Sequence, residues 1–351
     1  MKAPKNDGIV TLKAVAERVG LTPGTVSSVL NDAPSAKAIP QHTKNRILAA
    51  ARELNYRPNF FARSLRKKRT YTIGVITEEI GDPYGAMVIS GIEGYLRRNN
   101  YFFLTVVHRH DPQLLEQYSS ILLARGVEGF ITVDTSVRHA MPIPTVAVAG
   151  HVKVKGVTNI ILNHNQAARL ALTHLAELGH KQIAFIRGQP FSSDSEDRWE
   201  SICAVAQEMA IEISPELTRQ LDEDDPSPEM GYRFTKELLS SKKCFTALFA
   251  YNDVSAIGAI RAIQELGLRI PRDISVVGFD DIREAAYQTP RLTTVRQPLR
   301  EMGETAARTL VERIEGRKEY PSEIAIEPTL VIRDSTGPAS PHPDWYHRIG
   351  C

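Results

Sequence analysis

The sequence predicts an N-terminal all-α head carrying a helix-turn-helix, followed by an α/β body of two lobes built on parallel sheets. Three observations predict it. Fourteen of the first seventy residues are Lys or Arg and four are Asp or Glu, whereas the rest of the chain holds 29 basic against 37 acidic residues. Two short amphipathic segments stand almost back to back inside the basic stretch. From Thr72 onward, short apolar runs alternate with helix-length stretches. A charge split of about +10 against −8 separates a head suited to nucleic acid from an unrelated body.

The first helix is expected from Thr11 to Gly20. Leu12, Val15, Ala16 and Val19 fall at i, i+3, i+4 and i+7, making one apolar stripe. Thr11 suits the N-cap and Gly20 the left-handed position just past the end. In the second helix Thr22 is the N-cap and Pro23 the first helical residue, where a missing N–H costs nothing. Val26, Val29 and Leu30 face inward. A third helix runs from about Gln41 to Asn55, with Ile47, Leu48, Ala51 and Leu54 inward. Two helices on a tight turn, braced by a third, can place the second in a major groove. The spacing also fits a small three-helix bundle with no role at DNA.

The segment after Tyr56 weighs against that plain bundle. From Arg57 to Arg69 it has too few apolar positions to fold alone, and it suits a short helix formed against DNA. Arg63, Arg66, Lys67, Lys68 and Arg69 put five cations in seven residues around Leu65. An apolar residue flanked by cations suits a wedge in the minor groove, whereas a charge run by itself is usually a solvated linker.

Thr25-Val26-Ser27, Val29-Leu30-Asn31, Leu54-Asn55-Tyr56-Arg57-Pro58-Asn59 and Ala62-Arg63-Ser64-Leu65-Arg66 resemble the head and hinge of the LacI/GalR family of bacterial transcriptional repressors. The likeness extends from about Val10 to Gly337. It implies a head over residues 9–57 and a hinge over 58–70. The head would contact DNA through Thr11, Thr22, Pro23, Gly24, Thr25, Ser27, Ser28 and Asn31. The hinge side would add Tyr56, Asn59, Ala62, Arg63, Leu65 and Arg66. The chain departs from its relatives at Pro23 and Gly24, which stand where they commonly present base-reading side chains. Ser28 holds a third reading position, and Thr25 and Ser27 suit phosphate contacts.

In the body, strands are expected at 72–77, 102–107, 130–133, 145–148, 183–186, 247–250 and 275–279. Helices are expected at 85–99, 112–124, 165–178, 198–210, 228–240 and 253–266. Such alternation gives parallel sheets with helices on both faces. So many strands suit two lobes better than one sheet. Ligands in these folds sit beyond the carboxyl ends of strands, here between the lobes. The resemblance implies a body similar to periplasmic sugar-binding proteins. It places lobe 1 at about 71–162 and 293–322 and lobe 2 at about 163–292 and 323–337, and crossings near Leu162, Thr293 and Glu323. The tail from Ser335, with three prolines and no heptad, is expected to be disordered, so a homodimer rather than a tetramer is expected.

Four strand-end features are effector-site candidates, each with a plainer reading. Tyr84 can stack on a ligand ring or sit in a surface turn. Arg198 can hold a hydroxyl or carboxylate by its fork, or be a surface arginine. Asn252 and Asp253 can face the cleft, or Asp253 can cap the next helix. Asp280, followed by Asp281, can do either as well. The resemblance implies that Arg198 and Asp253 line the cleft. Ala149 stands where many relatives have an acid, which speaks against a plain sugar. The acidic run at 222–225 suits a solvated loop better than the cleft edge.

No apolar run precedes the head, so neither a signal peptide nor a membrane anchor is expected. Cys203, Cys244 and Cys351 are odd in number, lack metal-ligand spacing and suit a reducing cytoplasm. No HExxH, GxSxG or phosphate-cradling loop occurs, and the adjacent Asp280 and Asp281 should point apart, so catalysis, a cofactor and a metal are not expected. The expected function is a DNA-binding repressor of palindromic operators, controlled by a sugar or sugar derivative. A solute-binding protein for a sugar transporter and a nucleobase-type effector are the alternatives.

Overall fold

The computed structural model describes residues 10–57, 64, 68–192, 194–223, 227–241 and 243–340. It divides into two compact units, Met1–Thr70 and Tyr71–Cys351. In the first unit, α1 (Leu12–Val19) begins at Thr11, whose hydroxyl accepts from Ala14 N–H, and stops at Gly20 with φ +67°. Thr22 caps α2 (Pro23–Leu30) in the same way, accepting from Thr25 N–H at 3.2 Å. A 3₁₀ turn at Pro34–Ala38 leads to α3 (Gln41–Glu53). Val15, Ala16, Val19, Val26, Ile47, Ala50 and Ala51 form the head core.

Two expectations for α3 are corrected. The helix ends at Glu53, because Asn55 turns left-handed at φ +50° and Tyr56 N–H closes back on the Ala51 carbonyl. Leu48 is 40% exposed, and Ala50 takes the inward place. Residues 47, 50, 51 and 54 make the i, i+3, i+4, i+7 stripe, and Leu48 lies one residue, about 100°, off it.

The body starts with β1 (Thr72–Thr77), α4 (Pro83–Arg98), β2 (Phe102–Val107), α5 (Pro112–Ala124), β3 (Gly129–Val133), β4 (Thr145–Val148) and β5 (Val157–Leu162). It then crosses to α6 (His164–Glu177), β6 (Ile183–Arg187), α7 (Ser195–Glu208), β7 (Thr218–Gln220), α8 (Glu229–Leu239), β8 (Ala247–Phe249), α9 (Asp253–Glu265), β9 (Ser275–Asp280) and β10 (Thr293–Arg296). The chain returns for α10 (Leu299–Ile314) and β11 (Glu323–Ile326), and crosses again for β12 (Thr329–Val331). The first sheet runs β11-β5-β4-β3-β1-β2 with every pair parallel. The second runs β12-β10-β9-β8-β6-β7, and only β12 is antiparallel among these described pairs.

Pairing corrects two crossing points. β10 registers Thr293 against Val277 and so belongs to the second sheet, which puts the return after Arg296. β11 registers Glu323 against Asn159 in the first sheet, so the last crossing falls between Ile326 and Thr329. The tail expectation is corrected as well. Ser335 is fully buried and donates to the Val276 carbonyl, and Ala339 N–H donates to the Leu178 carbonyl at 2.8 Å. Residues 341–351 lie outside the described residues.

Each sheet is covered on both faces, and alternate side chains along a strand serve opposite cores. Leu248 and Val276 pack toward α8 and α9, whereas Phe249 and Val277 pack toward α6 and α7. α8 and α9 touch backbone to backbone. A Cβ added at Gly258 would lie 2.0 Å from the Pro228 carbonyl oxygen, and one at Gly231 would lie 2.1 Å from that of Ser255. That contact sets the start of α9, where the site begins.

Candidate functional site

Parallel strands of both lobes end facing one another, and the loops after β1, β3, β6, β8 and β9 enclose a cavity of about 100 Å³. Four of the five expected residues line it: Tyr84, Arg198, Asn252 and Asp280. Lobe 1 supplies Tyr84 from the first turn of α4. Asp82 caps that helix by accepting from Gly85 N–H at 3.0 Å, which fixes the turn. The Tyr84 hydroxyl is buried with no hydrogen-bond partner among the described residues. Burial pushes its phenol well above the usual range.

Lobe 2 supplies Arg198 from α7, 4% exposed. One Nη donates to the Tyr251 carbonyl at 2.6 Å, and the other is paired with Asp194. The guanidinium carbon lies 3.8 Å from the Phe279 ring centre and 4.4 Å from that of Tyr251. Arg198 is therefore a clamped, desolvated cation between two rings, not a surface arginine. The Tyr251 hydroxyl lies 3.1 Å from Ser192 Oγ, and burial raises its phenol too.

Asn252 caps α9. Its Oδ1 accepts from Ser255 N–H at 2.8 Å while Ser255 Oγ accepts from Asn252 N–H at 3.2 Å, a reciprocal capping box. Asp253 is the correction. It is fully buried and does not line the cavity. Its carboxylate accepts from Thr294 Oγ1 at 2.6 Å and from Ile282 N–H at 2.9 Å, so it ties α9 to the exit of β9 and to β10. A Cβ at Gly278 would lie 2.2 Å from Asp253 Oδ1, so that glycine makes the carboxylate's room. Burial pushes the Asp253 carboxyl up to about 7.

Asp280 does face the cavity. Both it and Asp281 take positive φ, +111° and +57°, which splays their side chains. Asp281 pairs outward with Arg296 and Arg333, and Asp280 accepts from Gln297 Nε2 at 2.7 Å. Burial pushes the Asp280 carboxyl well above the usual range, with Arg198 opposing. Sequence reasoning missed Glu78, Asp134, Phe191 and Asp194 in the lining. Glu78 faces His110, whose ring lies 4.2 Å from Phe191 of the other lobe. Ala149 is buried, and two residues on His151 reaches across to lobe 2. The acidic run holds Arg233 through Asp222 and Glu223, both exposed, while Asp224 and Asp225 lie outside the described residues.

In the head, Thr22, Pro23 and Gly24 are exposed at the start of α2, and Thr25 and Ser28 are half-buried. Ser28 accepts from Ser35 Oγ at 3.0 Å. Ser27 is buried and Asn31 donates to its carbonyl and hydroxyl, so neither offers a free surface group in this state. Thr11 is exposed beyond its cap, and Tyr56 packs against the head core. Asn59, Ala62, Arg63, Leu65 and Arg66 lie outside the described residues.

The chain is similar to several known proteins. Residues 11–59 match "Bacterial regulatory proteins, lacI family", and residues 172–336 match "Periplasmic binding protein-like domain". The HTH-type transcriptional repressor PurR of Haemophilus influenzae is 34% identical over 340 residues, covering 93% of this chain and 98% of that protein. The lac repressor dimer bound to operator and the anti-inducer ONPF superposes with a TM-score of 0.84 at 29% identity, over 94% of this chain and 100% of that one. A LacI family regulator from Enterococcus faecium with bound ribose gives 0.67 at 29% identity, over 77% and 100%.

Proposed function

This chain belongs to the lacI family of bacterial regulatory proteins, and we propose that it represses transcription from palindromic operators under control of a small effector held between its lobes. Its relatives are repressors rather than enzymes, and the reading as a ligand-controlled DNA-binding protein follows from them. Among the described residues no helix is long and apolar enough to cross a membrane. Action on operator DNA would put the protein in the cytoplasm.

The cavity lining carries the effector reading. Tyr84, Glu78, Asp82 and Asp134 come from one lobe and Arg198 and Asp280 from the other, so a ligand would draw both lobes together. The volume is on the scale of the roughly 150 Å³ cavities that take one benzene-sized ring. Acceptors dominate, since Glu78, Asp82, Asp134, Asp194 and Asp280 line the cavity against the single guanidinium of Arg198. A neutral ring compound rich in donors suits that balance, and a sugar or sugar derivative is the first choice. Phe191, 40% exposed on the cavity wall, offers a flat face that suits a nucleobase as the second. Anions such as sugar acids and sugar phosphates are disfavoured by the surrounding carboxylates.

In operation, two chains pair through their bodies and set two heads on one palindrome. Lys and Arg hold phosphates, and the start of α2 reads the groove. The effector changes the angle between lobes and so biases the hinge between states that fit and do not fit DNA. A thermal-shift screen of the full chain tests the effector class, using neutral sugars and nucleobases beside sugar acids and sugar phosphates. Neutral compounds are expected to raise the melting temperature. A phosphate or acid that outperforms its neutral parent would refute the reading.

A further inference from the structure

A cluster beside the effector cavity is built for more than packing. His151 stands in the loop after β4, in lobe 1, while His164 opens α6 and Asp194 precedes α7, both in lobe 2. All three side chains are less than one-tenth exposed. His151 Nε2 and His164 Nε2 lie 2.7 and 2.9 Å from the same oxygen, Asp194 Oδ1. The three donor atoms lie within 4.8 Å of one another. His151 Nδ1 is 2.6 Å from Asp197 Oδ2.

A neutral imidazole has one donor and one acceptor nitrogen, yet His151 faces a carboxylate oxygen on each side. With both carboxyls ionised, the second contact needs a cation, supplied either by a second proton on the ring or by a metal ion at Nε2. We propose that His151, His164 and Asp194 form a site for a divalent transition metal of the zinc class, which staples the two lobes. Two imidazole nitrogens and one carboxylate oxygen, with water in the fourth position, are an established donor type for such ions.

The geometry asks little movement. Ligands at bond lengths of about 2.0–2.1 Å around a tetrahedral ion are roughly 3.3 Å apart, so both nitrogens would draw back from Asp194 Oδ1 by about half an ångström, and they already lie within 4.8 Å of each other. The Asp197 carboxylate on His151 Nδ1 is the outer partner that orients a metal-bound imidazole. An open recess lined by His151, His164, Asp197, Glu200 and Glu323 gives solvent access for the ion and its water. Charge fits as well. With neutral imidazoles, Asp194, Asp197, Glu200 and Glu323 face Arg198 and Lys153, leaving two negative charges to balance. Asp194 also couples the site to the effector. One oxygen would hold the ion while the other holds Arg198 of the cavity.

The test is equilibrium dialysis of the full chain, freed of metal by a chelator, against Zn²⁺, with bound metal counted for the wild type, His151→Gln and His164→Gln. Operator binding and circular dichroism verify that each variant folds. The wild type is expected to hold one more ion per chain than either variant, which cancels any ions held elsewhere. Asp197→Asn should weaken that ion about 10- to 100-fold. Co²⁺ should give visible ligand-field bands in the wild type alone. Equal metal content in all three proteins would overturn the site. So would a lobe-stabilising effect that follows pH and ignores the metal, since a proton would then fill the place. Neither outcome depends on which effector the cavity takes.

Discussion

Asp253 and Asp280 are both buried carboxylates at strand ends, yet they do different work. Asp280 faces the cavity with one hydrogen bond to Gln297, whereas Asp253 is fully engaged beneath it. Asp280→Asn keeps an oxygen for Gln297, so folding stability should hold. Its second oxygen becomes an amide NH₂, and the loss of that buried acceptor, roughly 1–3 kcal/mol, should weaken effector binding about tenfold. Calorimetric titration of the effector found by the screen checks this, and unchanged affinity would remove Asp280 from the site. Arg198→Ala is a poorer probe, because it strands the Asp194 carboxylate in the interior. Asp253 predicts a pH effect. Its folded pKa is about 7 against an ordinary 3.8, so the folded state keeps a proton that the unfolded state has released. Its contribution is therefore fully present below 3.8 and is lost as pH rises through about 7. Asp253→Asn should flatten the stability profile in that window, measured by urea midpoints. Identical profiles for the two proteins would contradict it. The sequence could not separate Asp253 from its neighbour Asn252: both types suit a cap, and only the alignment of α9 on β9 decides which side chain reaches the cavity.

Local chemistry made several elements legible. Thr11, Gly20, Thr22 and Pro23 fixed the bounds of α1 and α2 because caps act within a few residues. β5, β7, β10, β11, β12 and α10 were not anticipated, and the segments that hold β10 and β11 were assigned to the wrong lobes. Which sheet a short strand joins depends on partners far along the chain, such as Glu323 against Asn159. The cluster of His151, His164 and Asp194 was invisible for the same reason, since its members are 13 to 43 residues apart. At this scale the α8–α9 contact is the sharpest test. Gly258→Ala would drive a Cβ into the Pro228 carbonyl, 2.0 Å away, with backbone on both sides. A loss of about 1–3 kcal/mol is expected from chemical denaturation, as for other overpacked sites. A variant as stable as the wild type would show that the two helices can part freely.

The whole chain joins a basic head to an acidic body, and that division sets how it should behave on DNA. Each phosphate neutralised by Lys or Arg should steepen the fall of log affinity with log salt by about 0.9. Leu65, among the hinge cations, is proposed as a minor-groove wedge; Leu65→Ala should lose tenfold or more in operator affinity, since unstacking worth about a few kcal/mol per step is no longer offset. A gel-shift titration checks it, and an unchanged constant in the folded variant would end the proposal. With Pro23 and Gly24 at the usual reading positions, specificity should rest on Ser28, thymine methyls and the deformable centre of the site.

Whether the protein reads a palindrome as a dimer is decided by one titration. The full chain is added to a labelled duplex recovered by binding selection from randomised DNA, and anisotropy is followed at several salt concentrations. Enrichment of a two-fold symmetric site, two chains per duplex, and affinity that falls steeply with salt are expected. Recovery of no sequence above bulk DNA, or a symmetric site saturated by one chain, would contradict it.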